Sequence, residues 1–153
     1  MGNNTRRNGD PFWELQQRYR SERSLPANWE SLDFFKEISD RRLLEKTCGK
    51  FPRVKSMVCL TGSDHHPVLL LKRAGNFSFR FCPCSTKKQG NYSYIPAKTT
   101  LELAPTPFHK HGYICHNIFI NLPPENDMVG QENFFGIVRE NDIIGDQYKE
   151  GMQ

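Results

Sequence analysis

Apolar positions near the N-terminus recur at helical spacing, whereas from Phe51 onward they alternate or cluster as strands do. Residues 1–10 are polar and aperiodic, a composition expected of a loosely attached arm. Asp10-Pro11 reads as a helix cap followed by proline at the first helical position. Phe12, Leu15 and Tyr19 then share one face of a helix that runs to about Arg23. Leu25-Pro26-Ala27 breaks it. The stripe Leu32, Phe35, Ile38, Leu43 and Leu44 predicts a second helix from about residue 28 or 31 to Thr47, closed by Cys48-Gly49.

The remaining pattern is β. Residues 55–61 read as a strand ending in the turn Gly62-Ser63-Asp64. Pro67–Lys72 and Phe77–Cys82 form a hairpin about Ala74-Gly75-Asn76, and Phe77, Phe79 and Phe81 alternate with Ser78, Arg80 and Cys82. That alternation predicts one buried face and one basic face. Short strands are expected over 92–96 and 99–103, a longer one over Gly112–Asn121, and another over Phe134–Val138, with a helical turn over 139–144. Short strands without intervening helices indicate a small antiparallel barrel or sandwich. The expected organisation is a helical extension over residues 1–50 and a β-barrel domain over 51–153, in a protein that is mainly β.

Charge sharpens this picture. The formal net charge is +4, but residues 51–120 carry nine Lys or Arg against two Asp or Glu. Residues 121–153 carry two against seven. No acidic residue lies between Asp64 and Glu102, a stretch holding Lys72, Arg73, Arg80, Lys87 and Lys88. These five are the candidate nucleic-acid-binding residues, because a basic surface is what a phosphate backbone selects. A solvated strand face can look the same. The chain starts without an apolar signal segment, and it has no apolar run long enough to span a membrane. Its five cysteines lack a disulfide spacing and read as free thiols, so a cytoplasmic protein without membrane partners is expected.

Candidate chemistry gathers at the hairpin's ends. His66, beside His65, precedes the apolar run Val68–Leu71, and imidazole suits proton transfer near neutral pH. A pair of solvent-facing turn histidines is the plainer alternative. Ser85 and Thr86 close the second strand, where hydroxyls can hold a phosphate or simply form a turn. Cys82, Cys84, His109, His111, Cys115 and His116 have some of the character of a zinc set, but a strand cysteine is more often a small buried hydrophobe, and no metal is expected.

The stretch Val58-Cys59-Leu60, His66-Pro67, Val68–Leu71 and Cys82-Pro83-Cys84-Ser85-Thr86 resembles the start of the MazF/PemK-like toxins. Phe135–Ile143 is similar to their closing strand and helix start. The resemblance covers about residues 55–145. It implies a small SH3-like barrel that cuts RNA without a metal or other cofactor, a possible homodimer, and an antitoxin-like protein partner. Where the family pattern has Arg before Pro, this chain has His66. The implied reaction is attack of the RNA 2′-hydroxyl on its own 3′-phosphate, which needs a base, an acid and a cation. His66 would serve as base or acid, Ser85 or Thr86 would hold the phosphate, and Arg73, Arg80 or Lys87 would supply the cation. Two other classes fit the same residues. One is a non-catalytic nucleic-acid module stacking bases on Phe77, Phe79, Tyr92 and Tyr94. The other is a protein-interaction module.

Overall fold

The structure, a computed structural model, describes residues 11–53, 64–74, 78–88, 90 and 92–153. The strand expected over 55–61, the tip of the hairpin turn and Phe77 lie outside the described residues. Helix α1 (Pro11–Arg23) forms where the proline predicts it. The second predicted helix is corrected. Its first half is strand β1 (Asp33–Ser39), and helix α2 is confined to Asp40–Lys46, with the Ser39 hydroxyl accepting from the Arg42 backbone N–H. Strands β2 (His65–Ala74) and β3 (Ser78–Ser85) are the expected hairpin. The two-residue β4 (Tyr94–Ile95) follows. The single strand expected over 112–121 is two, β5 (Gly112–Ile114) and β6 (Ile120–Leu122), because the chain turns at Cys115–Phe119. β7 (Phe134–Ile137) is the last strand. At residues 99–103, where a further strand was expected, there is instead an isolated bridge between Glu102 and Ile137.

All strand pairs are antiparallel, in the order β4-β5-β3-β2-β1-β7, with β6 also on β3. The sheet curves as a half-barrel. After β7 the chain returns to the opposite edge, where Ile144 bridges Tyr94. The expected division at residue 50 is therefore corrected: β1 lies inside the sheet, between β2 and β7.

Burial explains why β2 is an unbroken apolar run. Val68 and Leu70 enter one core with Phe35, Phe81 and Trp29, whereas Leu69 and Leu71 enter another with Phe34, Cys82 and Ile114. A strand covered on both faces has no solvent side to fill with polar residues. The expectation of one basic hairpin face fails for that reason, since Val68–Leu71 and Phe81–Ser85 are all buried. Among the described residues no helix is long and apolar enough to cross a membrane.

α1 docks by its polar side. Phe12, Leu15 and Tyr19, the expected packing face, are 68%, 58% and 44% exposed. Arg20 instead donates to the backbone oxygens of Leu103, Phe134 and Phe135, covering carbonyls at the edge strand β7. One guanidinium nitrogen of Arg23, Nη2, donates to both carboxylate oxygens of the fully buried Asp33, at 2.9 and 3.1 Å.

Candidate active site

Four strand termini meet at one end of the sheet. Ser39 pairs with His65, Ile38 with His66, and Ser85 with Tyr113 at the start of β5. The β2–β3 register runs through Val68 opposite Pro83, and its continuation sets His66 across from Ser85. A cleft of about 490 Å³ opens here. His65, His66, Pro67, Ser85 and Thr86 form one side, and Phe34, Lys36 and Glu37 of β1 and residues 108–112 form the rest. The three residues expected to carry catalysis, His66, Ser85 and Thr86, thus line one cleft.

His66 is held from two directions. Its Nδ1 lies 2.6 Å from Oδ1 of Asp40, and the Phe51 ring meets its imidazole edge-on at 4.9 Å between centroids. The Asp40 side chain is 6% exposed and that of His66 is 29% exposed. A carboxylate only accepts, so Nδ1 is the donor, and in the neutral ring Nε2 keeps its lone pair. This is the arrangement of an oriented general base. Asp40 arrives at this place because the β1–β2 register sets Ser39 against His65, and the Asp40 backbone N–H donates to the Asp64 carbonyl at 3.0 Å.

Lys36 reaches the cleft through a bulge. Phe35 pairs with Val68 and Ile38 with His66, so Lys36 and Glu37 together oppose Pro67. Proline has no N–H to give to a neighbouring strand, and an inserted residue accommodates the missing bond. Glu37 takes a φ of 65°, in the left-handed region that side chains other than glycine seldom occupy. The extra residue returns Ile38 to the core that Phe35 occupies, while Lys36 packs on the other side of the sheet. There its Nζ stands 3.7 Å from the Phe135 ring centroid and 5.5 Å from that of Phe108.

On the facing side, buried Ser85 accepts the Lys87 backbone N–H through its hydroxyl oxygen at 3.1 Å, which leaves its hydrogen to donate. Thr86 is exposed, as are Lys87 and Lys88 directly after it. His111 accepts the Ala97 N–H at Nδ1, 2.9 Å away, so its neutral ring presents an Nε2 donor. Tyr94 and Tyr113 pack beside it, with 4.9 Å between the Tyr94 and His111 centroids.

The other predicted residues lie elsewhere. Lys72 and Arg73 are at the far end of β2, and Arg80 is near the start of β3. Six residues of strand separate Arg73 from Pro67, about 20 Å at 3.3 Å per residue. Arg73 donates to the carbonyls of Ala27 and Trp29. Arg80 donates to those of Gly151 and Gln153 and lies 4.5 Å over the Phe119 ring. Both guanidiniums fasten the chain's own backbone. Phe79 is 1% exposed and packs at 5.2 Å from Trp29, which removes it as a stacking platform. The cysteine–histidine set is scattered. Cys82, Cys84 and Cys115 are buried, with burial pushing the thiols of Cys82 and Cys115 above their usual range. His116 is buried against Glu150 at 3.0 Å, while His109 and His111 face the cleft. Among the described residues no three His, Cys, Asp or Glu side chains gather as a metal-binding group.

Sequence reasoning missed Asp40, which holds the His66 ring, and Lys36, one of two lysines that line the cleft. Pro67 inside an apolar strand was the available signal for a bulge in whatever strand lies beside it. No family model matches the chain, and neither the curated proteins nor the solved structures give a match.

Proposed function

We propose that this protein binds single-stranded RNA across the sheet end and cleaves it by attack of a 2′-hydroxyl on the adjacent phosphate, without a metal or other cofactor. The observation that carries the proposal is the buried Asp40 carboxylate 2.6 Å from Nδ1 of His66, a residue that lines the cleft. A base so held can take the 2′-proton, and Ser85 and Thr86 supply hydroxyl donors for the phosphate oxygens. Lys110 lines the cleft, and the exposed Lys87 and Lys88 directly follow its Thr86. Tyr94, Tyr113 and His111 offer ring faces on which a base can stack.

The half-barrel is consistent with the SH3-like barrel that the MazF/PemK resemblance implies, and with a toxin-like hydrolase acting in the cytoplasm. In this chain the role of the family's arginine falls to the histidine dyad. The same resemblance implies a protein partner or a second copy, and the exposed Leu15 and Tyr19 of α1 support that part of the reading.

Incubation of the purified protein with labelled single-stranded RNA in the presence of a chelator tests the proposal. Cleavage to fragments ending in a 2′,3′-cyclic phosphate is expected. Retention of intact RNA would instead identify a binding module, and indifference to RNA would remove both readings. Affinity should also fall as salt rises, because each neutralised phosphate releases counterions. For the double variant Lys87→Ala/Lys88→Ala, the logarithmic salt slope should flatten by roughly 0.7 for each phosphate left without its cation, the value for single strands. A filter-binding series in NaCl measures this, and an unchanged slope would show that the pair only solubilises the loop.

A further inference from the structure

The structure supplies a second proton-transfer group. We propose that Lys36 is the general acid of the reaction just described, protonating the departing 5′-oxygen while His66 takes the proton of the 2′-hydroxyl. The proposal rests on the RNA-cleavage reading and names the group that completes it. In the step, the O2′–P bond forms and the P–O5′ bond breaks. The 2′-proton goes to His66 Nε2, and a proton from Lys36 Nζ goes to the 5′-oxygen. The products are a 2′,3′-cyclic phosphate and a 5′-hydroxyl, and proton exchange with water restores both side chains.

Three observations lead to Lys36. The first is placement. β1 continues past the bulge to Asp40, so one strand delivers both the orienting carboxylate and the ammonium. Phe35 and Ile38 fall in the core on one side of the sheet, where Asp40 reaches His66, while Lys36 packs on Phe108 and Phe135 of the other. Both still line the one cleft.

The second observation is the backbone. A φ of 65° at Glu37 is strained for a residue that is not glycine. Strain of this kind persists where surrounding structure over-determines it, and bulges beside active sites re-aim side chains. Here the bulge turns a core strand's side chain into the cleft.

The third is the ammonium's surroundings. Among the described residues no carboxylate forms an ion pair with Lys36, and two aromatic faces hold it instead. A ring face attracts the cation but cannot accept its proton in an ordinary hydrogen bond, so the N–H groups stay available. Burial lowers the Lys36 pKa from its ordinary value, with neighbouring Glu37 opposing in part. A lysine so lowered gives up a proton more readily near neutral pH. An arginine in its place would keep the charge and withhold the proton.

The test compares two RNA substrates, one ordinary and one whose scissile 5′-oxygen is replaced by sulfur. A thiolate leaves without protonation. Lys36→Met should lower kcat on ordinary RNA by about a hundred- to ten-thousandfold and leave the sulfur substrate within about tenfold of the unaltered protein. Lys36→Arg should be as impaired as Lys36→Met on ordinary RNA and likewise recover on the sulfur substrate. His66→Ala should recover on neither. Thermal melts confirm that the variants fold, and Lys36→Arg keeps the test decisive should Lys36→Met unfold. Equal losses on both substrates, or an active Lys36→Arg, would overturn the acid role and leave Lys36 a phosphate-binding cation. Unaltered protein that cleaves neither substrate would remove the cleavage reading itself, and the role of Lys36 with it.

Discussion

His66→Ala should slow RNA cleavage by roughly a hundred- to ten-thousandfold, the usual contribution of a positioned general acid or base, while the fold persists. The fold should persist because His66 is only partly buried and its pairing in the sheet uses backbone atoms. The loss should appear in kcat rather than in RNA affinity, as expected of a group acting on the 2′-proton and not on a ground-state charge. Asp40→Asn should reproduce much of the loss. An amide can donate to Nδ1, which would move the ring proton to Nε2 and remove the base. Thr86→Ala should cost less than either, because Ser85 stands beside it with its own hydroxyl hydrogen unspent. Single-turnover rates at saturating protein separate these outcomes. Full activity in His66→Ala would take the histidine out of the chemistry.

The largest effect on stability is expected at the ion pair that fastens α1. Arg23→Met should destabilise the protein by about 3–5 kcal/mol, because it leaves the fully buried Asp33 carboxylate without its cation. The loss should depend on pH. Burial pushes the Asp33 pKa up to about 7, against the Glu30 backbone N–H and Arg23, which both favour the charged form. A carboxyl whose pKa is higher in the folded than in the unfolded chain binds its proton more tightly when folded. Its contribution is therefore greatest below the unfolded value of about 4 and declines as pH rises toward 7. Without Arg23 the folded-state pKa rises further, so the variant should lose more at pH 8 than at pH 5. Urea denaturation at the two pH values measures this, and equal losses at both would contradict a charged, uncompensated Asp33.

Most of the sheet was legible because its strands follow local rules. The short apolar run Val68–Leu71 followed by turn residues reads as a strand, although its burial on both faces was not foreseen. β1 was not legible, for a specific reason. The bulge at Lys36–Glu37 inserts one residue between Phe35 and Ile38, so two side chains of one strand face stand three apart. Three is a helical spacing, and Leu43 and Leu44 of the true helix α2 extend the pattern. The same insertion hid Lys36, which on a helix would have been an unremarkable surface lysine. Asp40 was hidden differently: its bond to His66 joins residues 26 apart in sequence and exists only through the β1–β2 pairing. His66, Ser85 and Thr86 were recoverable because a hairpin fixes its own register, which brings the start of one strand to the end of the next. Arg73 and Arg80 misled, because composition registers charge but not the carbonyls of Ala27, Trp29, Gly151 and Gln153 that occupy it. For α1 the apolar stripe gave the correct element and the wrong docking face, since Arg20 and Arg23 make the attachment.

The central claim is that His66 Nε2 takes a 2′-proton from RNA. A single-stranded DNA oligonucleotide carrying one ribonucleotide, incubated with the protein in chelator, tests it most directly. The account predicts one cut, 3′ to the ribonucleotide, leaving a 2′,3′-cyclic phosphate, with no cut in the all-deoxy control and a much slower cut by His66→Ala. Cleavage of the all-deoxy strand, or an unchanged rate in His66→Ala, would contradict it.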